Sequence, residues 1–524
     1  TPWDYGDGTG RFLEALILAR EMTGNKDNKE VDEGLKELLI TYLNENDGLS
    51  YRTETPWSEY GADIWAQRAT LLALALWQEK AGDKEVIKYL NRLVTGLSRI
   101  SVRDGEYAYM KYFWTGEKWL TEANTGISFA VIDALVKYFE MTGNELALDL
   151  STALVKGMIY RKPAYFNQDG SFAYPDNSLR PDSLSVPHLD GVNKIPEVAV
   201  AWELANGHVT SRVTAALGML RLGVLTRNQE FIEWGKKVHD WITSISSKFG
   251  WVPENVRTAG QEVSEMCNLV DMVGMQILLA KTGYPEYWDH VERYARNHLI
   301  ESQFTITSDL LDIIGDNLKS NPPADTDVFS YQNVLQRLEG GFVGPTYPDD
   351  LFTSYPKSRT NPAAEKLIDI SGCCAPSGIK ALYLIWNNIV TKDDKGVWVN
   401  LAFNRDTKWS KVISYIPYQG RVDILVHEPA PIHIRIPGWV SQDDVKLLID
   451  GEEKRCEWEN SYVICKYAIA GQELSIRYPL SKFNGVEILA GIPYSITWLG
   501  DAVVSVRTDK EPILGIYNRK LESI

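Results

Sequence analysis

The chain has 524 residues with a formal net charge of −16, and 44% of its residues are hydrophobic. This length exceeds what one ordinary hydrophobic core supports, so two or three domains are expected. The negative charge argues against nucleic acid and against an anionic membrane surface as partners, because both are bound through clustered Lys and Arg. The sequence also lacks an apolar stretch of about 18 residues, which a membrane-spanning helix requires.

Helical apolar patterns in the first three quarters of the chain end repeatedly at a glycine, the usual residue directly after a helix. These glycines lie about 60 residues apart in all but one interval, and that period corresponds to one helical hairpin. They are Gly24, Gly82, Gly143, Gly223 and Gly283. The patterns predict helices over residues 64–79, 127–140, 210–221, 269–281 and 378–390. We therefore predict helical hairpins that close into an (α/α)6 toroid.

The apolar pattern changes to a period of two after Gly396, as in Val397, Val399 and Leu401. Short alternating segments of this kind, separated by Gly, Pro and Asp turns, continue toward the C-terminus and are typical of a β-sandwich. The sequence thus predicts a mainly α protein with a β domain. The (α/α)6 barrel is expected over residues 1–396 and the β-sandwich over residues 397–524.

Several polar residues lie near the predicted starts of the ring helices. If these helices point the same way, their N-terminal ends surround one mouth of the ring. For any single residue the simpler interpretation is a helix cap, but carboxylates, a histidine and thiols on one rim indicate a functional site. The residues are Asp4, Asp7, Asp63, Asn124, His208, Glu265, Cys267, Cys373 and Cys374.

Three of the five cysteines belong to this group, and they suggest a metal centre. Glu265 lies two residues before Cys267, and Cys373 is adjacent to Cys374. Three thiolates and one carboxylate match the ligand number and softness of a tetrahedral zinc site, whereas adjacent cysteines are poor partners for a disulfide. The alternative interpretation is three buried structural cysteines without a metal.

The remaining cysteines, Cys456 and Cys465, flank a predicted hairpin and are more consistent with two free strand residues than with a bridge. Reduced thiols favour a cytoplasmic location over a periplasmic or secreted one. The chain begins at Thr1 rather than at Met, which leaves open whether a leader was removed.

Four protein ligands are typical of a structural zinc. A structural metal has little to stabilise on the rim of a cleft, however. We therefore expect that one of the ligated thiolates is also a nucleophile, which the metal would keep deprotonated and oriented.

The sequence resembles glycoside hydrolase family 127 and its relatives in several motifs. These are Glu265-x-Cys267, the doublet in Gly372-Cys373-Cys374-Ala375-Pro376, Gly207-His208 at a ring-helix start, and Ile434-Arg435-Ile436-Pro437-Gly438-Trp439. The family contains retaining β-L-arabinofuranosidases and related exo-acting hydrolases with an (α/α)6 barrel followed by β-sandwich material. The resemblance therefore implies the same fold and a glycosidase activity.

The resemblance also implies roles for individual residues. It places zinc ligands at Glu265, Cys267, Cys373 and Cys374, the nucleophile at Cys373 and a pocket histidine at His208. It puts the general acid/base in the loop before Glu265, where Glu254 and Glu262 are both candidates and Glu254 is favoured for its aromatic surroundings. Trp251 is a candidate for stacking on a sugar, and Asp63 and Asn124 are candidate substrate-binding residues.

This chain departs from the family in the residues expected to touch the sugar. Asn124 stands where the family usually has a histidine, and the family's His-Pro helix start is not recognisable. The segment between Cys267 and Cys373 is also longer than usual. These differences leave the sugar and the linkage open.

Three functional hypotheses follow. The first is double displacement, in which the Cys373 thiolate attacks an anomeric carbon and a glutamic acid protonates the leaving oxygen. The second is a toroid hydrolase or lyase that uses carboxylates such as Asp63 and Glu254 beside a purely structural zinc. The third is a carbohydrate-binding protein without turnover.

Overall fold

The computed structural model describes residues 6–52, 60–119, 126–162, 164–173, 207–257, 259–320, 330, 332–355, 365–370, 372–517, 519 and 521. The helices in these ranges are α1 (Gly6–Thr23), α2 (Lys29–Thr41), α3 (Ile64–Ala81), α4 (Lys84–Ile100), α5 (Ile132–Thr142), α6 (Glu145–Tyr160), α7 (Val209–Thr226), α8 (Gln229–Ser244), α9 (Met266–Lys281), α10 (Tyr287–Tyr294), α11 (Ser308–Ser320), α12 (Val334–Leu338) and α13 (Cys374–Trp386). A π-helical turn, Ala295–Leu299, continues α10, and 3-10 turns cover Gly126–Phe129, Ala259–Glu262 and Gln442–Asp444.

Alternate helices form a closed inner ring, which confirms the predicted toroid. Helices α1, α3, α5, α7, α9 and α13 each pack on the next, and α13 packs back on α1. Helices α2, α4, α6, α8 and α10 pack outside them. Fourteen of the 18 residues of α7 and 14 of the 16 residues of α9 are buried, as expected for inner helices that have neighbours on all sides.

Some predicted helix ends differ from the observed ones. Gly82 and Gly143 do follow α3 and α5 in the left-handed conformation. Gly223, by contrast, lies inside α7, and a Cβ there would come within 2.9 Å of the backbone nitrogen of Ile232. This glycine permits close packing of α7 on α8 rather than ending a helix, and α7 instead ends before Arg227, which has a φ of 55°.

The sixth unit also differs from the prediction. Its inner helix, α13, begins at Cys374 and ends at Trp386, four residues earlier than expected at each end. Val390 belongs to a strand that pairs with Val399, so in the described part of the chain α13 is followed by a strand rather than by an outer helix.

The C-terminal region consists mainly of two large sheets and one small one. The strands of the described residues are β1 (Ala62–Asp63), β2 (Val102–Asp104), β3 (Tyr107–Tyr109), β4 (Phe113–Trp114), β5 (Thr353–Tyr355), β6 (Glu365–Leu367), β7 (Val390–Asp393), β8 (Gly396–Val399), β9 (Arg405–Asp406), β10 (Ser410–Ser414), β11 (Arg421–Val426), β12 (Ala430–Arg435), β13 (Lys446–Ile449), β14 (Glu452–Lys454), β15 (Glu457–Glu459), β16 (Tyr462–Ala468), β17 (Glu473–Arg477), β18 (Lys482–Leu489), β19 (Ile492–Leu499) and β20 (Ala502–Arg507).

The large sheets have the strand orders β14-β13-β17-β11-β10-β9 and β15-β16-β12-β8-β7, and their apolar residues share one core in a β-sandwich-like arrangement. All pairings in them are antiparallel except that of β8 with β12. The division of the chain at residue 396 stays a prediction.

The small sheet, β18-β19-β20, is not hydrogen-bonded to either large sheet in the described residues. Its Tyr494 and Trp498 share a second core with Phe249 and Trp251 of the helical region. This core therefore lies behind the loop that carries Glu254. None of the helices in the described ranges has the length and apolar character needed to cross a membrane.

Candidate active site and metal centre

The four predicted metal ligands lie at the N-terminal ends of two neighbouring inner helices. Glu265 directly precedes α9, and Cys267 lies in its first turn. Cys373 directly precedes α13, and Cys374 is its first residue. Glu265 has an extended backbone, with φ −134° and ψ 130°, whereas Cys267 has already entered the helix.

The ligand atoms converge. The Sγ of Cys374 lies 3.8 Å from that of Cys267 and 3.7 Å from that of Cys373. Oε1 of Glu265 is 4.0 Å from the Sγ of Cys373, and all four atoms lie within 4.8 Å of one another. Two sulfurs bound to one tetrahedral zinc at about 2.3 Å would be about 3.8 Å apart, so the donor set fits this metal in chemistry and in spacing.

Positive groups surround the thiols. The N-terminal ends of α9 and α13 favour thiolates through their backbone N–H groups. The Arg11 guanidinium donates from Nη1 to the Sγ of Cys267 at 3.7 Å. Hydrogen bonds with the Cys373 and Cys374 thiols lower the pKa of Cys267 well below its ordinary value, while the hydrogen bond with Cys267 raises the pKa of Cys373. Without a cation, negative charge therefore concentrates on Cys267.

Exposure distinguishes the three thiols. Cys267 and Cys374 are 2% and 1% exposed, whereas Cys373 is only partly buried. Cys373 is therefore the thiol of this cluster that a substrate can approach most easily.

The carboxylate of Glu265 is held by residues at the start of α7. Its Oε2 lies 2.9 Å from Nε2 of His208 and accepts a hydrogen bond from Oγ1 of Thr210 at 2.5 Å. Nδ1 of His208 lies 3.2 Å from the Oγ of Ser211. Burial raises the pKa of Glu265, and the His208 ring opposes that shift. His208 thus orients the carboxylate of a candidate metal ligand, as outer partners of metal sites commonly do; its contact with a sugar stays a prediction.

Glu254 lies on an irregular segment between two parts of the site. Its backbone N–H donates to the carbonyl of Val263, and its carbonyl accepts from the N–H of Val209. Isolated bridges join Pro253 to Ser264 and Asn255 to His208. The segment is thereby fixed beside both His208 and Glu265, and the Glu254 side chain is 7% exposed.

Glu262, the alternative, ends the 3-10 turn Ala259–Glu262 and is partly buried. The choice between these two glutamates stays a prediction.

Two predicted substrate-binding residues have structural roles. Asp63 has no exposed surface; it accepts from the N–H of Ala66 as the cap of α3 and from Nε of Arg52 at 2.7 Å. Trp251 is also fully buried, packs in the second core and donates from Nε1 to the carbonyl of Thr346. Neither side chain presents a surface to a ligand, so both assignments are corrected. Asn124 and Asp4 lie outside the described residues.

The sequence reasoning missed three residues around the cluster. Thr210 contacts Glu265, Arg11 contacts Cys267, and Oγ of Ser377 lies 3.4 Å from the Sγ of Cys267. In the sequence, these residues could have been found from their proximity to helix starts. Arg11 also lies four residues after Asp7, on the same helix face.

No protein-family model matches the chain, and no curated protein matches it in sequence. Solved structures do share its fold. A family 127 β-L-arabinofuranosidase from Geobacillus stearothermophilus T6 is 14% identical, with a TM-score of 0.61 over 94% of this chain and 75% of that one. A second family 127 β-arabinofuranosidase gives the same identity and TM-score over 94% and 74% of the two chains.

A structure described as a glycoside hydrolase is also 14% identical, with a TM-score of 0.60 over 96% of this chain and 77% of the other. The likeness extends over nearly the whole chain and includes both the ring and the sheets. The chain therefore has the fold of the glycoside hydrolase family 127 β-L-arabinofuranosidases, with a strongly divergent sequence.

Proposed function

We propose that the protein is a retaining, exo-acting glycoside hydrolase, similar to the β-L-arabinofuranosidases, with Cys373 as a zinc-bound nucleophile. The observation that carries this proposal is the cluster of Glu265, Cys267, Cys373 and Cys374 at the mouth of a ring with the family 127 fold. These four residues would hold the metal. A bound zinc would supply a permanent positive charge that keeps the Cys373 sulfur deprotonated near neutral pH.

In the proposed reaction, the Cys373 sulfur attacks the anomeric carbon, so that a carbon–sulfur bond forms as the glycosidic carbon–oxygen bond breaks. Glu254 donates a proton to the leaving oxygen. It then takes a proton from water, which attacks the same carbon and releases the Cys373 thiolate. Two inversions at one carbon give net retention.

In the alternative function, carboxylates such as Asp63 act beside a structural zinc. The burial of Asp63 in an ion pair with Arg52 argues against this role. A carbohydrate-binding protein without turnover has no specific support from the site, because a thiolate cluster is not needed to bind a sugar.

The experiment compares the wild type with Cys373→Ser and, as a control, Cys465→Ser, which alters a buried strand residue outside the site. Aryl furanosides and pyranosides serve as substrates, and a cysteine-directed sugar electrophile serves as the label. We expect stoichiometric zinc in the wild type, labelling at Cys373 alone, and loss of activity by about 1,000-fold or more in Cys373→Ser, a far larger effect than the change in its unfolding midpoint. Normal turnover by Cys373→Ser would refute the nucleophile, and a metal-free active protein would refute the zinc.

A further inference from the structure

The predicted ligand set leaves an excess of negative charge in a buried place. Three thiolates and one carboxylate carry four negative charges, whereas zinc carries two positive ones. Cys267, Cys374 and Glu265 are each less than a tenth exposed. Because a buried net charge is costly unless it is paired, another positive group is needed next to the cluster.

Among the described residues, Arg11 is the cation in direct contact with a sulfur of the cluster. Its Nη1 lies 3.7 Å from the Sγ of Cys267, and its Nε donates to Oδ1 of Asp7 at 2.8 Å. The guanidinium also lies 5.6 Å from the ring centre of Trp65. The three contacts fix the orientation of a side chain that is 12% exposed.

Two further cations lie near the cluster without such a contact. Arg68 and Lys380 line the same small cavity as Arg11 and Cys267, which has a volume of about 10 Å³ and room for about one water. Nζ of Lys380 is engaged with Glu14 at 2.9 Å, and Arg68 lies over Trp65 at 5.7 Å. Arg11 is therefore the member of this group placed to act on the thiolate itself.

The packing of α1 explains how Arg11 reaches the cluster. A Cβ on Gly10 would lie 2.7 Å from backbone atoms of Ala69, and one on Gly6 would lie 2.8 Å from the Cβ of Ala66. These glycines let α1 approach α3 closely, while its other neighbour in the ring is α13, which begins with Cys374. The first helix thus brings a positive charge to ligands that come from α9 and α13.

Resting on the proposed function, we infer that Arg11 is a positioning residue of the metal centre: its Nη1 stabilises the Cys267 thiolate through a charge-assisted hydrogen bond, and Asp7 and Trp65 hold it there. Its loss weakens zinc binding and changes the electronic environment of the sulfur. Outer partners of this kind typically change metal affinity by about 10- to 100-fold.

The test uses the full chain loaded with zinc or with cobalt. Arg11→Met removes the charge, and Arg11→Lys keeps the charge without the planar fork. Arg20→Met is the matched control, because Arg20 lies on the same helix, is 17% exposed and pairs with Asp32 at 2.6 Å away from the cluster. The measurements are the zinc dissociation constant by chelator competition and the thiolate-to-cobalt charge-transfer band, which a merely structural residue would not shift.

We expect zinc affinity to fall about 10- to 100-fold in Arg11→Met and less in Arg11→Lys, with a shifted cobalt band in both and no change in Arg20→Met. Zinc affinity and a cobalt band equal to those of the wild type in Arg11→Met would overturn the inference. If Arg11→Met does not fold, the same two readings in Arg11→Lys decide it. A wild type without stoichiometric zinc would instead overturn the proposed function, a separate outcome.

Discussion

At the residue scale, kinetics with different leaving groups can identify the proposed general acid/base. Glu254 lies on a segment fixed between the His208 and Glu265 backbones, whereas Glu262 ends a short 3-10 turn. We predict that Glu254→Gln slows substrates with poor leaving groups by about 100-fold or more, because the leaving oxygen needs a proton. An activated aryl leaving group needs no such proton, so its first step should be spared.

The second step of the proposed reaction, in which water releases the sugar from Cys373, provides a further test of Glu254. Azide needs no general base, so it should partly restore turnover in Glu254→Gln and form a glycosyl azide. Glu262→Gln, made in parallel, should behave as the wild type with both kinds of leaving group. The reverse pattern would mean that Glu262 is the acid/base.

Residue types and spacing were enough to predict the cluster of Glu265, Cys267, Cys373 and Cys374 that the structure brings together, but not the residues around it. A glutamate lies two residues before a cysteine at one helix start, and two adjacent cysteines lie at another. This combination of metal-ligand residue types predicts a cluster without knowledge of the surrounding side chains. Trp251 and Asp63 offer no comparable signal, because an aromatic ring or a carboxylate near a helix start is equally suited to a core or a cap. Their burial depends on contacts with Thr346 and Arg52, which the sequence does not reveal.

At the scale of elements, close contact between α1 and α3 determines where Arg11 lies. We predict that Gly10→Ala destabilises the protein by about 1–3 kcal/mol, because the new methyl group would meet Ala69 backbone atoms at 2.7 Å. This cost exceeds the helix-propensity gain of at most about 1 kcal/mol. Urea unfolding measures the difference.

Gly34→Ala is the matched control in a neighbouring helix. Gly34 lies in α2 with no atom within 4 Å of its would-be Cβ, so the same substitution should stabilise by about 0.5–1 kcal/mol. Equal effects at the two positions would show that α1 and α3 are not in close contact.

The glycines of the repeat have two different structural roles. For this reason the ring of helices was predictable from the sequence, whereas the ends of individual helices were not. Gly82 and Gly143 end helices in the left-handed conformation, as glycines after helices commonly do. Gly223 also follows an apolar helical pattern, but it permits a close contact of α7 with α8. The period of the apolar pattern predicts how often helices recur. The residue at which each helix ends depends on its packing against the neighbouring helix. The strand at Val390 likewise depends on pairing with Val399.

At the scale of the whole molecule, a buried ion-pair network joins the β-sandwich to the ring. Arg435 of β12 contacts the carboxylates of Asp289 and Glu292 on α10. Burial would raise the pKa of Glu292, but Arg296 and Arg435 hold it below its ordinary value. We predict that Arg435→Met lowers the free energy of unfolding by about 3 kcal/mol, since it leaves buried carboxylate charge only partly compensated.

Arg421→Met serves as the comparison within the same sandwich. The Arg421 side chain is 30% exposed and pairs with Asp423 at 2.5 Å, so its loss should cost less than about 1 kcal/mol. If both variants unfold at the same denaturant concentration, the network does not hold the two regions together.

The buried His298 and the partly buried His290 predict how the stability of the molecule depends on pH. Burial lowers the pKa of His298 to about 3 and that of His290 to about 4, against about 6.5 in an unfolded chain. Between pH 6.5 and 4 the unfolded state therefore binds protons that the folded state does not. The free energy of unfolding should consequently fall as the pH falls, by about 2 kcal/mol per histidine at pH 5.

His298 ties this loss of stability to the candidate site. Its Nε2 lies 3.1 Å from Oγ of Ser264, the residue before Glu265, and 2.9 Å from Oγ1 of Thr346. We predict that His298→Gln, which cannot take up the proton, unfolds with a shallower dependence on pH between 7 and 5 than the wild type. His427→Gln, on the surface of the sandwich beside Asp406, should keep the wild-type slope. Urea unfolding at several pH values measures these slopes, and a wild-type slope in His298→Gln would mean that the buried imidazole is not what makes the fold sensitive to acid.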